Sequence, residues 1–206
     1  MEIITLQLGQ MGNCTYIVHK NGQGLIIDPS WDIDEIYRTL EENQITPKAV
    51  LFTHGHYDHL TGAQNLLEKY KIKGYIGKED IALSELPKNL LIPIEKDCSL
   101  EIADIKVNFI HTPGHTKGSY CIKIGKALFS GDTLFTGSIG RTDLPGGNSR
   151  EMQKSLVCLS KLPPETEVYC GHAYGPSFKT TIKEELKNNS FMKIATKEPE
   201  TFSEIL

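Results

Sequence analysis

The sequence predicts an α/β protein in which two β-sheets lie sandwiched between outer helices. Three observations lead there: short apolar runs with period-two alternation, stretches between them whose apolar residues recur at helical spacing, and their order along the chain. Strands come first, helices are interspersed, and strands and helices return.

Ile3 to Leu8, Cys14 to Val18 and Gly24 to Asp28 read as short strands parted by Gly-Asn and Asn-Gly turn signals, the opening of a meander. From Asp32 to Glu42, Ile33, Ile36 and Leu40 share a helical face with Asp32 as N-cap, and Pro47 restarts the chain. Ala49 to Phe52 has the all-apolar character of a strand buried on both faces and leads directly into Thr53-His54. A helix over about Gly62 to Tyr70 follows, then a less regular middle. Ile105 to Ile110, Tyr120 to Ile124 and Ala127 to Phe129 are three further strands. Ser149 to Leu159 is a helix capped by Asn148 or Ser149, Glu167 to Cys170 a final strand, and Thr181 to Asn188 a helix. No repeat, low-complexity tract or linker divides the chain, so one domain over residues 1–206 is expected.

The 206 residues include 22 basic and 26 acidic ones, a net charge of −4. That balance argues against nucleic-acid binding and against a polybasic membrane anchor, and points to a small-molecule substrate. The N-terminus lacks a basic segment followed by an apolar one, and no apolar run approaches the roughly 20 residues that span a bilayer. A cytoplasmic location is expected. Cys14, Cys98, Cys121, Cys158 and Cys170 are odd in number and scattered, which reads as reduced core thiols.

The chemistry is concentrated in Thr53-His54-Gly55-His56-Tyr57-Asp58-His59, three imidazoles and a carboxylate directly after a buried strand. In a locally extended segment His54 and His56 project to one side, with Asp58 and His59 past the turn, so one loop can serve two adjacent metals. Imidazole and carboxylate suit zinc, iron or manganese, and no cysteine stands nearby for a closed thiolate site. Gly114-His115, Gly131-Asp132 and Gly171-His172 repeat one design, a glycine before a candidate ligand at a strand end, and Gly55-His56 joins them. His19 and His111 fall outside the pattern. Gly146-Gly147 lacks the lysine of a phosphate-binding loop and reads as a turn.

With these motifs the chain resembles the metallo-β-lactamase superfamily, whose H-x-H-x-D-H loop is followed by a histidine, an aspartate and a last histidine. The resemblance runs to about Asn189 and implies an αββα sandwich of two mixed β-sheets flanked by helices. It implies that His54, His56 and His115 hold one metal, Asp58, His59 and His172 a second, and Asp132 bridges them. Two metals, zinc first and iron or manganese as alternatives, hold a hydroxide that attacks an acyl carbon, with Asp58 both ligating and orienting it.

Ser130-Gly-Asp-Thr-Leu-Phe135, Gly140-Arg-Thr-Asp143 and Tyr169-Cys-Gly-His172 look most like glyoxalase II and its short bacterial relatives, which hydrolyse S-acyl glutathione thioesters. By position Arg141 and Tyr174 match residues that hold glutathione there. Arg141 could equally pin its loop through Asp143 or Asp132, and Tyr174 could be packing. Ser119 stands where many glyoxalase II sequences have histidine, and no separate C-terminal glutathione-binding domain is expected. A mononuclear iron persulfide dioxygenase, whose family shares the loop, is the alternative enzyme, with His56 or His54, His115 and Asp132 as ligands. Hydrolysis of another small ester or lactone is a third possibility.

Overall fold

Alternation along the strands turns each sheet's side chains to opposite faces, and here both faces of both sheets are apolar. The computed structural model describes residues 1–175, 177–197 and 199–204. In the first sheet β1 (Glu2–Leu8), β2 (Asn13–Lys20), β3 (Gln23–Ile27), β4 (Thr46–Leu51), β5 (Lys73–Gly77) and β6 (Leu91–Ile94) lie in that order. The β1–β3 pairings are antiparallel and those from β3 to β6 parallel. The second sheet begins with β7 (Cys98–Ile102), β8 (Ile105–His111), β9 (Tyr120–Ile124) and β10 (Ala127–Gly131). After a small hairpin of β11 (Leu134–Phe135) and β12 (Ser138–Ile139), β13 (Glu167–Cys170) and β14 (Lys179–Thr181) complete it in the order β14-β13-β10-β9-β8-β7. Only β10 and β13 pair in parallel there.

The inner faces form the central core: Tyr16, Val18, Leu25, Ile27 and Leu51 meet Val107, Phe109, Ile122, Ile124 and Phe129. The outer face of the first sheet, through Ile17, Ile26, Val50 and Phe52, is covered by Ile36 and Leu40 of α1 (Ile33–Glu42) and by Leu66 and Leu67 of α2 (Ala63–Tyr70). Leu128, Val168 and Cys170 of the second sheet are covered by α3 (Ser149–Leu159), α4 (Ile182–Asn188) and α5 (Ser190–Lys197), through Met152, Leu156, Ile182 and Met192. The result is the expected αββα sandwich of two mixed sheets. Caps follow sequence too: Asp32, Asn148 and Thr181 accept from the backbone N–H three residues on.

The middle is more regular than its sequence suggests, since β5, β6 and β7 form there. Non-local pairing makes them. In β5, Gly74 is a close-approach position where a Cβ would lie 2.5 Å from the Phe52 ring, and in β6, Pro93 is tolerated because β6 is a sheet edge. Pro47 lies inside β4, whose register shifts opposite Gly24 and Leu25. All five cysteines are free. Burial pushes Cys14 up to about 11 and Cys121 and Cys170 to about 12, so these three are inert core thiols, whereas Cys98 is half-buried and Cys158 exposed. Among the described residues no helix is long and apolar enough to cross a membrane.

Phe129 is fully buried between the sheets, against Tyr16 and Tyr169. Phe129→Ala should cost about 3–5 kcal/mol in chemical denaturation; a loss below about 1 kcal/mol would mean that the sheets do not pack through this ring.

Candidate metal centre

The C-terminal ends of β4, β8, β10 and β13 deliver their following loops to one edge of the sandwich. Backbone bonds tie the edge together: Tyr120 N–H donates to Thr53 O (2.7 Å), Cys14 N–H to Gly171 O (2.8 Å), and Asn13 and His172 pair as an isolated bridge. Two of the glycines placed before candidate ligands show why glycine is needed. Gly131 has φ +50° and a Cβ there would stand 2.3 Å from Thr53 Oγ1, while a Cβ on Gly171 would stand 2.4 Å from Asp132 Oδ1.

All seven residues singled out as ligands converge at this edge. His54, His56 and His115 bring donor atoms within 4.8 Å of one another, and so do Asp58, His59 and His172. His56 Nδ1 lies 2.9 Å from His115 Nε2, and His59 Nε2 lies 3.1 Å from His172 Nε2. Asp132 stands between the sets, Oδ1 3.4 Å from His59 Nε2 and Oδ2 3.5 Å from His115 Nε2 and 3.4 Å from His172 Nε2. His54 Nε2 and Asp132 Oδ1 are buried with no hydrogen-bond partner among the described residues. Uncompensated polar atoms of that kind are costly, and a cation between them would satisfy both. The donor set therefore fits divalent metal.

Each ring is aimed from outside. His115 Nδ1 donates to Arg141 O (2.8 Å) and His172 Nδ1 to Met11 O (3.0 Å); a carbonyl can only accept, so Nε2 is the nitrogen of each ring that faces the centre and is the one free to bind a cation once it carries no proton. His59 Nδ1 donates to Asp28 Oδ2 (3.1 Å), and His54 Nδ1 lies 3.1 Å from Thr53 Oγ1, which itself donates to Asp28 Oδ2 (2.5 Å). Asp28 also takes the Thr53 N–H at 2.8 Å. It lies near His54 and His59 as well, but these bonds make it a support. On the other side Asn13 Nδ2 donates to Asp58 Oδ2 at 2.9 Å, and Asn13 Oδ1 accepts from the Trp31 indole at 2.8 Å.

The electrostatics follow from this crowding. Burial disfavours the Asp58 charge, but His172, His59 and Asn13 together hold the carboxyl down at about 2. Burial likewise opposes the proton on His172, yet Asp132 and Asp58 hold that ring up at about 9. His59 is raised well above the ordinary range by Asp132 and Asp28 against its burial, and Asp132 is held well below it by His59 and His172. His54 and His56 are lowered, by burial first and then by the neighbouring rings.

The centre opens into a cleft of about 470 Å³. Met11, Phe135, Ile139, Leu144 and Tyr174 give it an apolar wall, and Arg141 stands on it. Both expected substrate residues thus reach the cleft, and the alternative contacts foreseen for them are also present. Arg141 is paired bidentately with Asp143, at 2.9 and 2.8 Å, while Tyr174 lies stacked on His172 with ring centroids 4.5 Å apart. Sequence reasoning missed Asp28, Asn13 and Thr53. Asp28 closes a strand and Asn13 follows a glycine, but neither carries a motif that announces a partner 25 to 45 residues away.

The metallo-beta-lactamase superfamily profile matches residues 8–172. PksB of Bacillus subtilis, described as a probable polyketide biosynthesis zinc-dependent hydrolase, is 31% identical over 189 residues, covering 90% of this chain and 84% of that protein. The crystal structure of ETHE1 from Myxococcus xanthus is similar with a TM-score of 0.89 at 28% identity, covering 100% of this chain and 89% of that one. TTHA1623 in a di-iron-bound form gives 0.81 at 30% identity, covering 91% and 99%. The chain belongs to the metallo-beta-lactamase superfamily, whose fold binds divalent metals.

Proposed function

We propose that this chain is a metal-dependent thioester hydrolase acting on S-acyl glutathione-type compounds. The observation that carries the reading is the pair of unpartnered buried atoms, His54 Nε2 and Asp132 Oδ1, where seven donors meet. In it His54, His56 and His115 would hold one divalent ion and Asp58, His59 and His172 the other, with the Asp132 carboxylate within reach of both sets. Zinc suits this set, as the description of PksB supports; iron and manganese suit it too. Such ions supply acidity to a coordinated water and a Lewis acid for an acyl carbonyl.

The protein's own contribution is positioning. Asp58, ionised above about pH 2 and fixed by Asn13, accepts a hydrogen bond from the attacking water and sets its direction. Tyr174, whose pKa is raised by burial first and then by Asp132 and Asp58, stays a phenol at neutral pH and donates to a substrate amide. Arg141 exchanges Asp143 for a substrate carboxylate, an easy exchange because exposed ion pairs are weak. Beyond the seven donors the described cleft lining carries no carboxyl or imidazole. A thiolate leaving group needs no protein acid, since thiols ionise near pH 8.5, whereas an alkoxide or amine does. That favours thioesters.

The second reading is a mononuclear iron persulfide dioxygenase with His56 or His54, His115 and Asp132 as ligands, and the iron held by TTHA1623 supports iron as a metal for this fold. Rapid oxygen uptake with glutathione persulfide, and no thioester hydrolysis, would put it first.

Asp58→Ala should lower kcat by about 10²–10⁴-fold; near-normal turnover at full metal content would remove Asp58 from its role. Arg141→Ala should reduce kcat/KM on S-lactoylglutathione by about 10–100-fold while sparing a thioester without glutathione. An equal loss on both would make Arg141 structural. In the metal-free protein His172 is held up at about 9 against roughly 6.5 unfolded, so its stabilisation is full below pH 6.5 and is lost as pH rises toward 9. The thermal midpoint of the metal-free chain should therefore fall over that window. Zinc loading at pH 7 should release protons, measured by calorimetry in buffers of different ionisation enthalpy. Loading without proton release would contradict the ligand assignment of His59 and His172.

A further inference from the structure

Asp80 is a buried carboxylate, 2% exposed, in the short 3-10 turn after β5, and it belongs to none of the ligand segments. Its two oxygens take three donors from two different loops. Oδ2 accepts from Gly55 N–H (2.9 Å) and from the Thr116 hydroxyl (2.6 Å), and Oδ1 accepts from Gly118 N–H (2.8 Å). Gly55 lies between His54 and His56, and Thr116 follows His115. Two glycines keep the room open: a Cβ on Gly55 would stand 2.8 Å from Asp80 O, and one on Gly118 would stand 2.6 Å from Asp80 Cγ. Space is thus reserved on both loops for one carboxylate from a third element.

We propose that Asp80 is a positioning residue that clamps the His54–His56 loop to the His115 loop and so sets the spacing of the His54, His56 and His115 donors. The clamp rests on the metal reading above. It acts on the backbone on either side of the 2.9 Å approach of His56 Nδ1 to His115 Nε2. The other set is anchored differently, His59 through Asp28, His172 through Met11 O and Asp58 through Asn13. Asparagine cannot replace Asp80. An amide offers one acceptor and one donor group where two acceptors are needed, so whichever way it turns, either Gly55 N–H or Gly118 N–H faces an NH₂.

The test is titration of metal-free protein with Zn²⁺ by calorimetry, in wild type, Asp80→Asn and Thr116→Val. Wild type should take up two ions. In Asp80→Asn one of the two should bind about 10–100-fold more weakly and the other unchanged. Two backgrounds identify which. With His172→Ala crippling the second set, adding Asp80→Asn should weaken the remaining ion; with His56→Ala crippling the first, it should not. Thr116→Val, which removes one of the three donors, should weaken the same ion less, and Thr116→Ser should restore it. Wild-type affinities in Asp80→Asn, or equal losses at both ions, would overturn the clamp. If Asp80→Asn does not fold, wild-type affinities in Thr116→Val overturn it equally. A wild-type chain that takes up no zinc overturns the metal reading and the clamp with it.

Discussion

Five imidazoles and two carboxylates brought within a few ångströms of one another, nearly all out of contact with water, are a problem before they are a site. Left loose, such groups would turn outward to solvent or pair at random, because burying an unpaired polar group costs more than a typical hydrogen bond returns. What prevents it is a set of outward hydrogen bonds. Asp28 holds His59 and the Thr53 that faces His54, Met11 and Arg141 lend carbonyls to His172 and His115, and Asn13 holds Asp58. The fold serves this constraint, since β3, β4, β8, β10 and β13 all end where a ligand or one of its supports is required. Among the described residues two buried side-chain atoms remain without a hydrogen-bond partner, His54 Nε2 and Asp132 Oδ1. A cation is the natural complement, and binding it contributes to the stability of the folded chain.

The convergence of the seven candidate donors was legible in sequence because metal chemistry demands particular residue types at particular places, and a loop cannot hide three histidines in six positions. The central strands of the sheets were legible for a similar reason: strands covered on both faces must be apolar throughout, as Ala49 to Phe52 is. What escaped was whatever depends on a distant partner. Lys73–Gly77 becomes a strand because β4 and β6 flank it, and its two glycines would have argued against one. Asp28, Asn13 and Asp80 look like turn residues until the chain folds their partners onto them. Acidic and amide side chains are common at strand ends for local reasons, so no local signal separates a support from an ordinary turn. Arg141 and Tyr174 fall between these cases. Their place at the cleft was anticipated, but an exposed guanidinium paired with Asp143 and a ring stacked on His172 are compatible with binding and with packing alike.

The division of labour between centre and cleft has a structural basis. The donors hang from strand ends that are buried in the sandwich and cross-linked by Asp28, Asn13 and Asp80. The apolar wall instead includes Phe135 and Ile139 of the β11–β12 hairpin, which is held from a different part of the chain. Buried Glu185 on α4 accepts from Gly137 N–H at 2.9 Å, from Thr180 at 2.8 Å and from Asn189 at 2.8 Å, and Asn189 in turn donates to Ser138 O at 2.9 Å. Different side-chain networks therefore hold the donors and the hairpin of the cleft wall, and the donors bond to cleft-lining residues through the backbone carbonyls of Met11 and Arg141. A side-chain change at Leu144 can reshape the cleft without touching any support of the donors, whereas a change at Asp28 or Asn13 removes such a support directly. The candidate donors, read alone, therefore name a chemistry before they name a substrate, because the cleft side chains that would choose it are held by other contacts.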